Sequence, residues 1–174
     1  MSSITAEQEE VIIHACQSHE RLHEFEEGYR RCVVAEDFFV KFDDYKSLYP
    51  QYKTQAYLSK HAAENPLAPR IPKVYHFFRR ENPSMAYLVM EKIEFTTNPG
   101  QELYEKTALA LQWLRSVEVP PGATIGRLGG SPAYHMLFRD FKAPFVFSSI
   151  EALEKYMNAV RRLLFFYIFF GIHH

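Results

Sequence analysis

A chain of 174 residues with 47% hydrophobic, 16% aromatic and 24% charged side chains has the material for one domain with a true core and lies far from the polar composition of disordered chains. Twenty Lys and Arg against 21 Asp and Glu leave a formal charge of -1, so no global field favours nucleic acid. Two cysteines, Cys16 and Cys32, are too few for a disulfide scaffold and too far apart for a metal knuckle, which makes a reducing, cytoplasmic setting the expectation.

Met1 to Glu10 carries acids and no basic segment ahead of an apolar run, so no secretory signal is expected. Thr5-Ala6-Glu7-Gln8 reads as a capping box, in which hydroxyl and amide satisfy free N–H groups at a helix start. A helix from about Ala6 to Phe25 follows, with Val11, Ile12, Ala15, Leu22 and Phe25 as its apolar stripe. From Arg31 to Phe42, apolar residues bracket Ala35-Glu36-Asp37 in the pattern of a hairpin. Alternation in its second strand sets Phe38, Val40 and Phe42 on one face and Phe39 and Lys41 on the other. A lysine in so apolar a strand has a plain structural reading, that of an edge-strand residue snorkelling to water.

Pro50 suggests a second helix from that residue to about Ala63, broken by Asn65-Pro66 and Ala68-Pro69. Ile71 to Phe78 and Tyr87 to Glu91 read as strands joined by a loop over Arg79 to Ser84. After Asn98-Pro99-Gly100, Leu103, Thr107, Ala110, Leu111, Leu114 and Val117 recur at helical spacing, with Trp113 alongside. Pro120 to Gly130 reads as a flexible turn without a phosphate-cradling motif, and Ser148 with Glu151 as a capping box for a helix towards Leu164. Leu163 to Ile172, the most apolar run, is about half the roughly 20 residues needed to cross a bilayer. The order of elements is α+β, and no membrane or nucleic-acid partner is expected.

Two motifs imitate catalytic ones. His19-Glu20-Arg21-Leu22-His23 matches HExxH, where two histidines one helical turn apart bind zinc and the glutamate polarises water. Arg21 and Glu24 flank the histidines, and Glu26 and Arg30 stand where the extended form of the motif has Gly and His, so a solvated helix face is the plainer reading and a zinc hydrolase the remote alternative. Phe138-Arg139-Asp140-Phe141-Lys142 imitates a kinase catalytic loop, but Phe145 occupies the place of its magnesium-binding Asn, and an aromatic ring offers no oxygen ligand.

Three segments in order, Phe39-Val40-Lys41-Phe42, Pro69-Arg70-Ile71-Pro72-Lys73-Val74-Tyr75 and Tyr87-Leu88-Val89-Met90-Glu91, resemble the aminoglycoside phosphotransferase-like, kinase-like proteins common in fungi. Val119 to Gly130, and Phe138 to Pro144 followed by Phe147-Ser148-Ser149 and Tyr156-Met157-Asn158, look like the same group, so the resemblance spans Gly28 to Arg162. It implies a protein kinase-like fold, with a small lobe of antiparallel sheet, helix and hinge over 28–95 and the start of a helical large lobe over 96–163; the N-terminal helix within 1–27 precedes it and an unrelated aromatic tail over 164–174 follows it. By the resemblance Lys41 pairs with ATP phosphates, and Glu91 to Ile93 form a hinge whose backbone meets adenine. Gln51 stands where the family carries a glutamate, and no G-x-G-x-x-G precedes Lys41. The aromatic run Leu164 to Phe170 and the following Gly171-Ile172-His173-His174 replace the family's catalytic Asp and Asn and its metal-binding Asp. The expectation is therefore a truncated chain with no catalytic residue of its own and little hold on Mg²⁺, inactive in phosphoryl transfer. The alternative is a pseudokinase-like fragment that binds nucleotide or a protein partner. With a large lobe missing, Leu103, Leu111 and Leu114 are expected to lie uncovered except where Phe165 to Phe170 cover them.

Overall fold

The capping box forms as its residues predict. In the computed structural model the Gln8 N–H donates to Thr5 Oγ1 at 3.2 Å and the Thr5 N–H to Gln8 Oε1 at 3.0 Å, satisfying N–H groups that a helix start leaves without an intrahelical acceptor. The structure describes residues 4–81, 84–94, 100, 102–136 and 138–169, the side chains of 139 and 162–169 excepted. Helix α1 runs over Ala6–His23, ending short of the expected Phe25. Of the expected stripe, Ile12 is buried and Ala15 packs on the core, whereas Val11, Leu22 and Phe25 are exposed, Phe25 by 94%. Ile13 and Cys16 take their places, because positions 12, 13 and 16 share the one helix face that meets the sheet. Burial pushes the Cys16 thiol up to about 12, with Glu20 adding to the effect, so it is an inert core residue.

Strands β1 (Cys32–Ala35) and β2 (Phe38–Asp44) pair antiparallel around Glu36-Asp37, with Glu36 in the left-handed region at φ 52. Helix α2 (Tyr45–Ala63) follows β2 at once, because Asp44 accepts the Ser47 N–H at 3.1 Å and caps it. This corrects the expected start at Pro50, which instead lies buried inside the helix. Lacking an N–H, Pro50 cannot bond the carbonyl four residues back, a cost of about 3 kcal/mol in an isolated helix. The Asp44 cap and the burial of Leu48 and Pro50 offset it.

Strand β3 (Val74–Arg80) starts later than the expected Ile71, consistent with a Pro72 that has no N–H to give a ladder, and β4 (Met85–Glu91) starts earlier than Tyr87. Arg79 and Arg80 belong to the ladder, opposite Ala86 and Met85, and not to the loop. The loop residues Asn82 and Pro83 lie outside the described residues. The four strands form one sheet in the order β1-β2-β4-β3. Lys41 therefore lies on an interior strand, opposite Cys32 on one side and Leu88 on the other, which overturns the edge-strand reading. Both faces of the sheet are covered. Tyr87 and Val89 meet Val40, Phe42 and the buried residues of α1, while Ala86, Leu88 and Met90 meet Leu48 of α2. That is why Ala86 to Met90 is buried without interruption.

The chain divides into two compact units, Met1–Glu118 and Val119–His174, so α3 (Glu102–Ser116) groups with the sheet. Trp113 is its buried residue, and the Tyr57 hydroxyl donates to the Glu118 carbonyl at 2.6 Å just beyond its end. Leu103, Leu111 and Leu114 are exposed. Residues 95–99, including the Asn98-Pro99 break, lie outside the described residues.

In the second unit, the expected flexible turn is a hairpin of β5 (Gly126–Arg127) and β6 (Ser131–Pro132). Phe138, Ala143 and Phe147 form a small core with Ile125, Leu153 and Tyr156 packed on it. Helix α4 (Ile150–Phe169) is capped by Ser149, whose Oγ accepts the Ala152 N–H at 3.2 Å. The cap is one residue later than the expected Ser148, since Ser149 is the last residue before helical geometry. The aromatic run is helical as far as Phe169, while residues 170–174 lie outside the described residues, as does any covering of α3 by the side chains of 165–170.

Candidate functional site

Strand alternation decides where Lys41 goes. Val40 and Phe42 point into the α1 cluster, and Phe39 into the α2 cluster, so Lys41 emerges on the α2 face. There it lines a cavity of about 340 Å³ together with Tyr29, Arg30, Arg31, Asp43 and Gln51. The resemblance paired Lys41 with Gln51, and the fold brings both to this one cavity. Gln51 is held by a bond from its Nε2 to the Ser47 carbonyl at 3.3 Å. Lys41 is half-buried and, among the described residues, takes part in no ion pair.

The neighbouring charges are arranged differently. The Arg31 guanidinium bonds Glu20 through Nε at 3.0 Å and Nη2 at 2.9 Å, and Asp43 through Nη1 at 2.8 Å. Asp43, the one carboxylate lining the cavity, is thus occupied by Arg31 and also accepts the Asp44 N–H at 2.8 Å. The Tyr29 hydroxyl is buried with no acceptor for its own proton. Arg31 lies beside it as a donor, while its Nε, Nη1 and Nη2 reach the two carboxylates. Burial, with Glu20 adding to it, holds the Tyr29 phenol above the usual tyrosine range, so the hydroxyl keeps its proton and can donate. Lysine, arginine, amide and phenol give a donor-rich wall suited to an anion with many acceptor oxygens.

Comparison with protein-family models, with curated proteins and with solved structures gives no match. The reading of the site rests on its own residues.

The expected hinge is less open than the resemblance implies. The Glu91 N–H donates to the Lys73 carbonyl at 2.8 Å, so that N–H is not open to a ligand, and Ile93 is half-buried. The Glu91 carboxylate braces the segment before β3, accepting from Arg70 Nη2 at 2.5 Å and from the Lys73 N–H at 3.2 Å. The Arg70 bond, with that of Lys73 behind it, holds Glu91 below its ordinary value of 4.5. A carboxylate with a depressed folded-state pKa adds stability above its unfolded value, which disappears as pH falls through the folded one. Melts between about pH 6 and 3 are therefore expected to show wild type ahead of Glu91→Gln by up to about 1 kcal/mol, a gap that closes below pH 4.5. A gap that stays constant across this range would mean the carboxylate is not held in the strut.

The two imitated motifs serve the fold. In the HExxH segment, Glu20 is bound to Arg31, His23 Nδ1 lies 2.9 Å from Glu26, and His19 Nε2 lies 3.1 Å from the Arg30 carbonyl. Glu20 and His19 fasten the end of α1 to the residues entering β1, and His23 braces the turn that follows the helix. Among the described residues no group of three His, Cys, Asp or Glu is placed to hold a metal ion. Asp140 and Phe141 sit in the left-handed region within a single 3-10 turn over Arg139–Phe141, closed by a bond from the Phe141 N–H to the Phe138 carbonyl at 3.0 Å. No helix among the described residues is long and apolar enough to cross a membrane.

A larger cavity, of about 800 Å³, lies between α2 and the segment from Ala68 to Phe77. Its walls are mostly alanine, proline and aromatic, and its Arg70 is tied to Glu91. The Lys41 cavity is smaller, and it combines a cation outside the ion pairs of the described residues with a buried hydroxyl whose proton has no acceptor.

Proposed function

We propose that this chain is a kinase-like, nucleotide-binding protein in which Lys41 takes the phosphates of ATP. The observation that carries this reading is the placement of Lys41 on an interior strand, facing a cavity it shares with Gln51 and with no carboxylate bound to it among the described residues. A compact ammonium aimed at a polyanion supplies charge neutralisation and one or two strong hydrogen bonds. Gln51, neutral where a glutamate would be charged and bonded to the Ser47 carbonyl, leaves the charge of Lys41 to the ligand. The donor set fits phosphate better than it fits Mg²⁺, which needs oxygen ligands. The chain is read as a binder of nucleotide: Asp43, the one carboxylate lining the cavity, is held by Arg31, and positioned metal charge is most of what phosphoryl transfer requires.

Thermal unfolding of the 174-residue chain with and without millimolar ATP tests this. ATP is expected to raise the midpoint, and Lys41→Ala to remove the shift through an affinity at least about tenfold weaker. No shift for wild type at millimolar ATP would overturn the nucleotide reading and leave Lys41 with a structural role.

A further inference from the structure

Lys41 is one of three cations lining the cavity, and the register of the sheet sets their order. Phe38 pairs with Glu91, while Lys41 pairs with Leu88 and with Cys32. Lys41 therefore stands three residues along β2 from the Glu91 end, about 10 Å. Arg31, Arg30 and Tyr29 immediately precede Cys32, on the approach to β1. A ligand extended from the Glu91 to Ile93 end meets Lys41 first and the Tyr29 and Arg30 rim afterwards.

The rim residues differ in what they have left to give. Arg31 is paired with two carboxylates, Glu20 and Asp43. Arg30 is exposed; its carbonyl faces His19, and its guanidinium takes part in no ion pair among the described residues. The Tyr29 hydroxyl is buried with Arg31 beside it as a donor and with no acceptor for its own proton, a condition that a ligand oxygen or a water completes. Guanidinium has donors only, and the neutral phenol has one to offer. Of the three lining cations Arg31 is matched by Asp43 and by Glu20, which leaves the charges of Lys41 and Arg30, and two separated cations suit a polyphosphate better than a single carboxylate.

We propose that Tyr29 and Arg30 form the seat for the distal phosphates of a polyphosphate chain whose nearer phosphate sits on Lys41. The inference rests on the nucleotide reading above for the source of that chain, but the anion seat can be tested apart from it.

Isothermal titration of the full chain with ATP, AMP and inorganic tripolyphosphate makes the separation, using wild type, Lys41→Ala, Arg30→Ala, Arg30→Lys and Tyr29→Phe. Arg30→Ala is expected to weaken ATP and tripolyphosphate about tenfold while leaving AMP unchanged, with Arg30→Lys recovering part of the loss and Tyr29→Phe costing a few-fold. If Arg30→Ala and Tyr29→Phe bind ATP as wild type does while Lys41→Ala does not, the distal seat is overturned and the nucleotide reading stands. If tripolyphosphate binds in an Arg30-dependent way but ATP does not bind, the seat stands and the nucleotide reading falls. Binding of neither ligand by wild type overturns both. Arg30 is exposed and Tyr29→Phe keeps the ring, so melting curves that match wild type will certify the variants as folded.

Discussion

Phe42→Ala is expected to destabilise the sheet-bearing unit by about 3–5 kcal/mol, a large part of the margin of roughly 5–15 kcal/mol on which a folded domain stands. Phe42 is only 2% exposed and belongs to the cluster that joins α1 to the sheet through Ile12, Ile13, Cys16, Val40, Tyr87 and Val89. Its ring also meets His19 edge-on at 6.4 Å. Removing the ring leaves a void between a helix and a sheet whose backbones are held by the capping box, the Glu20–Arg31–Asp43 bridge and the ladder itself, so collapse to fill it is restricted. Phe42→Leu, which keeps most of the volume, is expected to cost less than about 1.5 kcal/mol. Urea unfolding of the three proteins, followed by far-ultraviolet circular dichroism, reads the difference. A loss below about 1 kcal/mol for Phe42→Ala would mean that α1 does not cover this face. Because Phe42 also lines the Lys41 cavity, the same variant should weaken any anion held there, tying the core to the site.

What can be read from the sequence is what local chemistry controls. Thr5 and Gln8 meet within one helical turn, and the alternation of Phe38 to Phe42 follows from pleating alone, so both are legible. The start of α2 is not, because Pro50 is a strong local signal that yields to the Asp44 cap ahead of it in the chain. Ser148 and Ser149 offer the same hydroxyl, and only the packing of Leu153 and Tyr156 on Phe147 selects the register in which Ser149 is the cap. Strand order is set by pairings between distant segments, so no pattern near Lys41 can say that β4 lies beside β2.

The site divides the same way. Lys41 and Gln51 are singled out by the family resemblance, and they line one cavity. Tyr29 and Arg30 escape a sequence reading because Glu24 to Arg30 has the composition of a polar helix end. Their value emerges only when the sheet sets Cys32 opposite Lys41. The sequence signal that points to them is the clustering of Arg30 and Arg31 just ahead of a strand, at a place where the acids of the preceding helix leave one arginine unmatched. Glu91 is expected from the resemblance to act through its backbone, but Arg70 and Lys73 claim its side chain and its N–H.

Gly126→Ala is the substitution expected to damage the second unit most for its size, by about 2–4 kcal/mol, as the combined result of a strained dihedral and a clash against backbone. Gly126 sits at φ 147, and a Cβ there would come 2.5 Å from the Ser131 carbonyl oxygen and 3.2 Å from the Ala133 nitrogen. Neither atom is the end of a flexible side chain. Ser131 lies on the partner strand of the hairpin, and Ala133 continues from it into a bond between its carbonyl and the Ala143 N–H at 2.8 Å. Relief of the clash must therefore open the hairpin. Ile125, the preceding residue, gives its N–H to the Phe147 carbonyl at 2.9 Å, so the opening passes directly to a phenylalanine that is 1% exposed. Gly130 is the control: it has φ 83, but a methyl at its Cα would meet nothing within 4 Å, so Gly130→Ala carries the dihedral cost alone, about 1 kcal/mol. Amide exchange resolves the two units. In Gly126→Ala the Ile125 amide should lose its protection while Val89, in the centre of the sheet, keeps it. Equal exchange at Ile125 in Gly126→Ala and Gly130→Ala would show that the hairpin tolerates the methyl, and that φ, not the close approach of Ser131, requires glycine at this position.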